Sequence, residues 1–338
     1  MSSVEIMKLI QGNVLSLKPY HVESTDCEIK LHANENPFPP SKELLELFSS
    51  SLQKLQLNRY PDPDSRALKD SIADRLGIET KHLVIGNGSD EIILFLLQVF
   101  CQKGDTITFP DPTFSMYSII AQSLGIKSVS ISLDNHWDFS ADVILQSAEE
   151  NNSKIIFLSY PNNPTGNCFS DTQVQKVIDN FQGIVVIDEA YHDFSRKSFV
   201  NQIKEHNNLI VLRSLSKIGL AALRVGFGVA DPLVISEINK VRLPYNSNTI
   251  SQAFAENLIT NFEAVQTQID SILDERHRLL DELHKIESVT AFPSDSNFIL
   301  FKTKQPAGSI FAFLSKNGIL VRNLSSHPKL SNCLRVTV

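Results

Sequence analysis

The chain has 338 residues, of which 42% are hydrophobic and 20% are charged, a composition typical of soluble globular proteins with room for two domains. Its formal net charge of −7 argues against a protein that binds the phosphate backbone of nucleic acids, because such a protein needs a basic face. No apolar run is long enough to span a bilayer. From the charge we expect no nucleic-acid partner, and from the lack of such a run we expect no membrane partner.

The first 40 residues contain several prolines and little periodicity, which predicts an arm that packs on other parts of the molecule. From about residue 65 to 245, apolar runs alternate with amphipathic stretches. The runs predicted as strands lie near 82–86, 105–109, 127–133, 154–159, 183–187, 208–213 and 225–230. The stretches predicted as helices lie near 65–76, 89–102, 114–124, 140–150, 171–180 and 232–242. This alternation predicts a mostly parallel sheet covered by helices on both faces.

The pattern changes after about residue 245. A helical region is predicted there over roughly 250–285, followed by a second helix near 307–316. Short strands are predicted near 288–292, 297–302, 319–323 and 333–338. The predicted fold class is therefore α/β, with a mostly parallel sheet sandwiched by helices in residues 41–245 and a smaller α+β domain in 246–338.

Unusual polar residues follow several predicted strands, at the edge where open parallel sheets bind their ligands. In the segment 86–91, Gly-Asn-Gly-Ser-Asp-Glu, two glycines turn the chain and a helix begins at about Ser89. Free backbone N–H groups and the positive end of the helix would face a phosphate there. Because Gly-Ser-Asp is also an ordinary N-cap sequence, this segment alone leaves both interpretations open.

Two further strand ends offer groups that suit an aromatic ring. The segment 159–166, Ser-Tyr-Pro-Asn-Asn-Pro-Thr-Gly, is either a plain turn or one in which Asn163 bonds a ring oxygen. Asp188 ends an otherwise apolar strand, and a buried carboxylate needs a partner such as a protonated pyridine nitrogen. Tyr191 would reach the phenolic oxygen of the same ring, although an N-cap aspartate with a packing tyrosine is the simpler alternative.

The fourth strand end carries Lys217 in the run Ser214-Leu-Ser-Lys217, with Arg224 seven residues later. A lone lysine after a strand is usually a surface residue. Here its amine would form a Schiff base with an aldehyde, while the hydroxyls of Ser214 and Ser216 and the guanidinium of Arg224 would hold a phosphate. Together the four segments predict one site for pyridoxal 5′-phosphate, because each supplies a different part of it.

The chemistry of the cysteines and of the N-terminus favours a cytoplasmic protein. The four cysteines are scattered, with neither disulfide nor metal-ligand spacing, so we expect reduced thiols and no metal site. The first eight residues lack the basic-then-apolar pattern of a signal peptide.

With these segments the chain resembles the fold type I pyridoxal-phosphate aminotransferases, and within them most of all the histidinol-phosphate aminotransferases. The resemblance covers nearly the whole chain. Its markers are His32-Ala-Asn-Glu-Asn-Pro37, Arg59-Tyr-Pro-Asp62, Gly86-Asn-Gly-Ser-Asp-Glu91, Pro112-Thr-Phe-Ser-Met-Tyr117, Asn162-Asn-Pro-Thr-Gly166, Asp188-Glu-Ala-Tyr191, Ser214-Leu-Ser-Lys217, Leu223-Arg-Val-Gly226 and Cys333-Leu-Arg-Val-Thr337.

The resemblance implies a role for each matched residue around the cofactor. Lys217 is the Schiff-base lysine and proton shuttle, and Asp188 pairs with the pyridine nitrogen. Tyr191 and Asn163 bond the ring hydroxyl oxygen, and Tyr117 stacks on the ring face. The residues implied around the phosphate are Ser89, Asp90, Ser214, Ser216 and Arg224. Catalysis itself is thereby expected from Lys217, Asp188 and Tyr191.

The resemblance also implies how substrate and a second subunit are bound. Arg335 matches the arginine that binds the substrate's anionic group, with Arg322 and Tyr20 as helpers at the substrate phosphate. Tyr60 reaches the neighbouring subunit's site, which implies a homodimer with shared active sites and an N-terminal arm, residues 1–40, that packs on the small domain and the partner.

Two departures from the family pattern concern loop and strand geometry. Relatives often have eight positions from the lysine to the clamp arginine, whereas Lys217 and Arg224 are seven apart, which predicts a shorter loop. Arg335 lies three residues before the last residue of the sequence, so we expect its strand to be prone to fraying.

The implied reaction is transamination of L-histidinol phosphate with 2-oxoglutarate, giving imidazole-acetol phosphate and glutamate in histidine biosynthesis. Rival interpretations on the same scaffold are an aromatic or other amino-acid aminotransferase and a decarboxylase that acts on threonine phosphate. A cofactor-binding regulator without activity and a binding module without a cofactor are the remaining alternatives. The module is the weaker of these two, because it gives Asp188 and Lys217 no shared reason to be present.

Overall fold

The computed structural model describes residues 3–19 and 27–338. Its strands are β1 Ile29–Leu31, β2 Leu83–Asn87, β3 Thr106–Asp111, β4 Lys127–Ser132, β5 Ser153–Ser159, β6 Ile184–Asp188, β7 Leu209–Ser214, β8 Val225–Val229, β9 Val289–Ala291, β10 Phe298–Thr303, β11 Ile319–Asn323 and β12 Cys333–Thr337. They form two sheets, and the cavity described below lies where these sheets approach each other.

The helices account for most of the remaining chain. They are α1 Ser3–Met7, α2 Gly12–Leu15, α3 Lys42–Lys54, α4 Arg66–Leu76, α5 Ser89–Phe100, α6 Met116–Ser123, α7 Ala141–Glu150, α8 Asp171–Asn180, α9 His192–Ser195, α10 Pro232–Val241, α11 Thr249–Thr260, α12 Glu263–His284 and α13 Ala307–Lys316. Short 3₁₀ turns span Thr80–His82, Val200–Lys204, Leu215–Lys217, Ala221–Leu223 and Pro328–Leu330. No helix in the described ranges is long and apolar enough to cross a bilayer.

The larger sheet has seven strands in the order β2-β8-β7-β6-β5-β3-β4. All neighbours from β7 to β4 are parallel, and β8 runs antiparallel to both β7 and β2. The predicted fold class, a mostly parallel sheet sandwiched by helices with a smaller mixed sheet, is therefore confirmed. The predicted strands of this sheet agree with the observed ones to within two residues at each end.

Strand β6 shows why a central strand of the larger sheet is almost wholly apolar. Val185 and Ile187 pack into the core on one face of the sheet, and Val186 packs into the core on the other. Because successive side chains of a strand point to opposite faces, a strand covered on both sides has no polar alternation. The same alternation turns Asp188 to the face of Val186, where helices α5 and α6 pack.

The smaller sheet has five strands in the order β1-β11-β12-β10-β9. Strand β12 is central and pairs antiparallel with β10 and β11. The fraying expected at Arg335 is wrong, because β12 is bonded along both edges and the N–H of Val338 still donates to the carbonyl of Asn297 at 2.9 Å. Residues 29–31 of the predicted arm form β1, which adds parallel to β11.

Two helical features differ from the sequence pattern. The predicted helical region 250–285 is two helices, because the backbone leaves the helical range at Asn261, whose side-chain Nδ2 donates to the carbonyl of Asn257 at 2.8 Å. No element is predicted over 42–54, yet α3 forms there. Its N-cap is Ser41, whose Oγ accepts from the N–H of Leu44 at 3.2 Å.

A buried ion pair braces the ends of β6 and β7. Arg213 Nε and Nη2 donate to Glu189 Oε2 at 3.1 and 3.0 Å, and the N–H of Phe199 donates to the other oxygen at 2.6 Å. Side-chain exposure is 0% for Glu189 and 10% for Arg213. Burial raises the pKa of the Glu189 carboxyl, although its bonds to Arg213 oppose the rise.

Substitution of Arg213 tests how much this brace supports the strand ends. Arg213→Met leaves the Glu189 carboxylate buried without its cation, so we expect the free energy of unfolding to fall by roughly 3–5 kcal/mol in urea denaturation. The control is Arg278→Met, which breaks an exposed pair with Glu275 on α12 and should leave the midpoint unchanged. Equal effects of the two substitutions would contradict the role given to burial.

Candidate active site

One cavity of about 380 Å³ opens at the carboxyl ends of β5, β6 and β7 and is closed from the other side by β11 and β12. Open parallel sheets bind ligands at this edge. The structure brings eleven of the sequence-predicted residues to its wall: Ser89, Asp90, Asn163, Asp188, Tyr191, Ser214, Ser216, Lys217, Arg224, Arg322 and Arg335. Two predicted residues of the described part of the chain, Tyr60 and Tyr117, are not among the lining residues.

At one end of the cavity, helix α5 begins at Ser89 directly after Gly88, which has a φ of +84°. Arg224 reaches the same point. Its Nη1 donates to Ser216 Oγ at 3.2 Å, and its Nη2 lies 3.4 Å from Asp90 Oδ2. The positive φ favours glycine at this position, and a Cβ at Gly88 would also lie 2.6 Å from Arg224 Nη2 and displace the guanidinium. Free N–H groups at the start of α5 and a guanidinium together form an anion site.

Glycine is also required across the sheet from that helix start. A Cβ at Gly226 would lie 2.4 Å from the backbone nitrogen of Ser89. Because this nitrogen is backbone, it cannot turn away as a side chain could. Between Lys217 and Arg224 the chain forms one 3₁₀ turn, Ala221–Leu223, which follows Gly219 with its φ of +116°.

Asp188 forms the acidic end of the cavity and is 3% exposed. Its Oδ2 accepts from the Tyr117 hydroxyl at 2.8 Å, and its Oδ1 accepts from the N–H of Ala190 at 3.1 Å. Burial raises the pKa of the Asp188 carboxyl to about 6, while these two hydrogen bonds oppose the rise. The group is therefore a desolvated carboxylate that faces the cavity and favours a cationic ligand atom.

The expectation that Tyr117 stacks on a ligand ring is wrong. Tyr117 is fully buried, its ring stacks on Phe157 at a centroid distance of 4.7 Å, and its hydroxyl is bonded to Asp188. Tyr117 lies in the first turn of α6 and packs in the core behind the carboxylate, whereas Phe114 precedes the helix. Phe114 instead lines the cavity and meets Tyr117 edge-on at 5.5 Å.

Lys217 and Tyr191 lie side by side between the two ends. Lys217 ends the 3₁₀ turn after β7, and its Nζ is 5.7 Å from the centroid of the Tyr191 ring. The Tyr191 hydroxyl accepts a hydrogen bond from Asn34 Nδ2 at 2.9 Å. The wall of the cavity thus presents a primary amine, a phenol and a carboxylate within one small volume.

The smaller sheet contributes two cations to the opposite wall. Arg322 on β11 and Arg335 on β12 are direct cross-strand neighbours, so their side chains leave the same face of the sheet. Arg335 Nη1 donates to Asn163 Oδ1 at 2.5 Å, and Nη2 donates to the carbonyl of His32 at 2.8 Å. Within residues 3–19 and 27–338, the guanidinium of Arg322 has no hydrogen-bond or ion-pair partner, so this side chain is available to an anionic ligand.

The remaining predicted residues lie elsewhere. Tyr60 is 80% exposed and stacks on Tyr245 at 4.5 Å, away from the cavity of its own chain. Tyr20 is outside the described residues.

Three residues that line or support the site have no predicted role. Asn34 and Phe114 stand inside quoted motifs, and their position there was the only signal in the sequence. His327 has no such signal. Its Nε2 lies 3.0 Å from Asp111 Oδ1, which links the end of β3 to the loop after β11 at the cavity wall.

The residues present fit pyridoxal 5′-phosphate. The helix start with Arg224 suits its phosphate, Lys217 suits its aldehyde, and the buried Asp188 carboxylate suits its pyridinium nitrogen. The fit rests on the order of the groups along the wall. Each end of the cavity carries the charge opposite to that of the cofactor group it would meet.

Comparisons with known proteins agree with this chemistry. The family model "Aminotransferase class I and II" matches residues 27–338. Histidinol-phosphate aminotransferase of Aquifex aeolicus is 39% identical over 331 residues, which cover 98% of this chain and 93% of that protein.

Two solved structures have the same fold. Histidinol-phosphate aminotransferase of Sinorhizobium meliloti, in complex with pyridoxal-5′-phosphate, superposes with a TM-score of 0.88 at 20% identity and covers 97% of this chain and 92% of its own. L-threonine-O-3-phosphate decarboxylase of Porphyromonas gingivalis gives 0.80 at 19% identity, covering 92% and 94%. Fold alone therefore does not distinguish these activities.

The buried Asp188 carboxyl makes a pH-dependent prediction for the chain without cofactor. A carboxyl with a pKa of 3.8 in the unfolded chain and about 6 in the folded chain binds its proton more tightly in the folded chain. This stabilising contribution is complete below pH 3.8 and is lost as pH rises through 6, which amounts to about 3 kcal/mol at pH 7. We expect Asp188→Asn to raise the free energy of unfolding at pH 7 by up to that amount, with the difference vanishing near pH 4.

The measurement is urea unfolding of the cofactor-free chain at both pH values. Asp142→Asn, which changes an exposed carboxylate on α7, is the matched control and should shift neither midpoint. An Asp188→Asn chain that is less stable than the parent at pH 7 would refute the desolvation argument.

Proposed function

Because this chain belongs to the class I and II aminotransferases, and within them to the family of the histidinol-phosphate aminotransferases, we propose that it transfers an amino group from L-histidinol phosphate to 2-oxoglutarate. The products are imidazole-acetol phosphate and glutamate, in histidine biosynthesis. The observation that carries the proposal is that two walls face each other across the cavity. The cofactor wall is built on Lys217 and Asp188, and the anion wall is built on Arg322 and Arg335.

The cofactor is pyridoxal 5′-phosphate, which when bound supplies an electron sink for charge that develops at the substrate's Cα. Asp188 keeps the pyridine nitrogen protonated, since a buried carboxylate stabilises a cation beside it. The Lys217 amine would act first as a general base that takes the proton from the substrate's Cα. It would then act as a general acid that gives this proton to the imine carbon. Tyr191 and Asn163 hydrogen bond the phenolic oxygen and so fix the plane of the ring.

The phosphate of the cofactor is held by groups that are already in position. Ser89 and Asp90 offer the first N–H groups of α5, and the Asp90 carboxylate steadies Arg224 from the outer side. The hydroxyls of Ser214 and Ser216 complete the set of donors proposed from the sequence.

The anion wall has to accept two different substrates in turn. Histidinol phosphate carries a phosphate ester, and 2-oxoglutarate carries a second carboxylate. Guanidinium groups pair with either anion through two parallel hydrogen bonds, so one pair of arginines serves both. Tyr20 is proposed as a further contact to the substrate phosphate on the strength of its sequence match alone.

A homodimer with shared sites is part of the same proposal. Tyr60 is well exposed in the single chain, as expected for a residue that completes the neighbouring subunit's site. We propose residues 1–40 as the arm that packs on the small domain and the partner, 41–245 as the large cofactor domain, 246–338 as the small domain, and a cytoplasmic location.

The function is tested by measuring transamination with histidinol phosphate, phenylalanine and threonine phosphate as parallel amino donors, with 2-oxoglutarate as acceptor. We expect kcat/KM to be highest for histidinol phosphate. Greater activity with phenylalanine would overturn the substrate assignment in favour of an aromatic aminotransferase. Loss of carbon dioxide from threonine phosphate would favour the decarboxylase chemistry of the Porphyromonas gingivalis structure.

Substitution of Lys217 tests the covalent attachment of the cofactor. Lys217→Ala should abolish the visible absorbance that a cofactor bonded to a lysine gives, and activity should fall by several orders of magnitude because the proton carrier is lost. Lys240→Ala, an exposed lysine on α10, is the control and should retain both. Unchanged absorbance in the Lys217 variant would refute its assigned role.

The two arginines are expected to behave differently. Arg322→Leu removes a substrate contact, so KM for histidinol phosphate should rise roughly 10- to 100-fold, the range of a charge-assisted bond, with kcat little changed. Arg335→Leu also frees Asn163 from its bond, so kcat should fall together with the rise in KM. Arg278→Leu on the outer face of α12 is the control, and identical profiles for Arg322 and Arg335 would contradict this division.

A further inference from the structure

Asn34 is the most deeply buried polar residue of the N-terminal segment that crosses the site. It is 1% exposed and has a φ of +56°, a left-handed conformation that asparagine tolerates better than most residues. The carbonyl of His32, two residues earlier, accepts from Arg335 of the anion wall. Residues 32–34, called here the crossing segment, therefore touch both walls of the cavity.

Four hydrogen bonds hold Asn34. Its N–H donates to Thr337 Oγ1 at 3.0 Å, and the Thr337 hydroxyl donates back to Asn34 Oδ1 at 3.3 Å. The Asn34 carbonyl accepts from Asn297 Nδ2 at 3.1 Å. The fourth bond runs from Asn34 Nδ2 to the hydroxyl of Tyr191 at 2.9 Å.

These bonds set which end of the Asn34 amide faces the site. The Thr337 hydroxyl already accepts the Asn34 N–H, so its own proton is free to donate to the amide oxygen. With the oxygen taken on that side, the amide NH₂ faces Tyr191. An NH₂ group only donates, so the Tyr191 hydroxyl must act as acceptor towards Asn34 and keeps its own proton for another partner.

We propose that Asn34 is a positioning residue that turns the Tyr191 hydroxyl so that its proton points at the phenolic oxygen of the cofactor. The inference rests on the proposed function only in requiring pyridoxal 5′-phosphate in the cavity. It assigns to Thr337 the task of holding the Asn34 amide in the donating orientation. Neither residue needs to touch the substrate.

The consequence is electrostatic. A donor on the phenolic oxygen stabilises its negative charge, most strongly when the Lys217 nitrogen bonded to the cofactor carries no proton to share that charge. The bond thus lowers the proton affinity of this nitrogen. The other charged or titratable side chains that line the cavity, apart from Tyr191, are His32, Asp90, Asp188, Arg224, Arg322, His327 and Arg335, and the Asn34 and Thr337 variants described below leave all of them unchanged.

The test is the pH titration of the visible absorbance of the purified protein saturated with cofactor. In Asn34→Asp, a carboxylate accepts the Tyr191 proton and turns the donor away, so we expect the midpoint to rise by about one pH unit, a tenfold gain in proton affinity. The added negative charge would also raise the midpoint through space. The same substitution in a Tyr191→Phe background measures that part alone, and the shift there should be clearly smaller.

Thr337→Val gives a neutral version of the test. It removes the hydroxyl that holds the amide, lets the amide turn its oxygen to Tyr191, and should raise the midpoint without adding charge. Thr337→Ser keeps the hydroxyl and should restore the parent midpoint. Thermal unfolding of the cofactor-free chains identifies any variant that does not fold. If Asn34→Asp does not fold, the comparison of Thr337→Val with Thr337→Ser tests the proposal.

An equal shift of the Asn34→Asp midpoint with and without the Tyr191 hydroxyl overturns the proposal, as does a Thr337→Val midpoint equal to the parent's. These outcomes differ from failure of the proposed function. A parent protein that forms the visible band but has no activity on histidinol phosphate would refute the substrate assignment and leave the role of Asn34 open to the same titration. A parent protein that forms no visible band refutes both the cofactor assignment and this inference.

Discussion

The site is organised around one buried charge, the carboxylate of Asp188 at the end of a strand that is otherwise wholly apolar. Such a charge is expensive unless something compensates it, and within the described part of the chain a phenol and one N–H donate hydrogen bonds to it while the Lys217 amine favours it through space. Placing it at the carboxyl edge of the sheet leaves one oxygen side open to a ligand cation. The cost of desolvation is therefore what gives the cavity its preference for a protonated ring, and the surrounding bonds serve to hold that charge still.

The rest of the site depends on how the two sheets are fixed to each other. Arg335 of the smaller sheet bonds Asn163 of the larger, and the crossing segment bonds Arg335 and Tyr191 at once. The anion and cofactor walls are thus linked through side chains that are themselves proposed binding groups. A small relative movement of the sheets would displace both sets of hydrogen bonds together.

Most of the fold and of the cofactor wall could be predicted, because the signals are local. Apolar runs ended by Asp188 or by the Ser-Leu-Ser-Lys217 turn mark strand ends, and parallel strands bring those ends to one edge. What could not be predicted depends on direction. Tyr117 and Phe114 stand three residues apart in one motif, and only the observed start of α6 decides which enters the cavity. Asn34 meets Tyr191 and Thr337 from 157 and 303 positions away, and no local pattern encodes that meeting.

The bond between Asn34 and Thr337 joins residues that are 303 positions apart. At ordinary rates of synthesis, about 15–60 s separate their emergence from the ribosome. The larger sheet, with its lysine and carboxylate, is complete long before β12 exists. All residues of the cofactor wall that belong to the larger sheet are therefore synthesised before β12, which lines the opposite side of the cavity. Closure is also entropically late, since it ties together the ends of a very long loop. The contact between Asn34 and Thr337, and with it the proposed orientation of the Tyr191 hydroxyl, is thus a property that only the finished chain acquires.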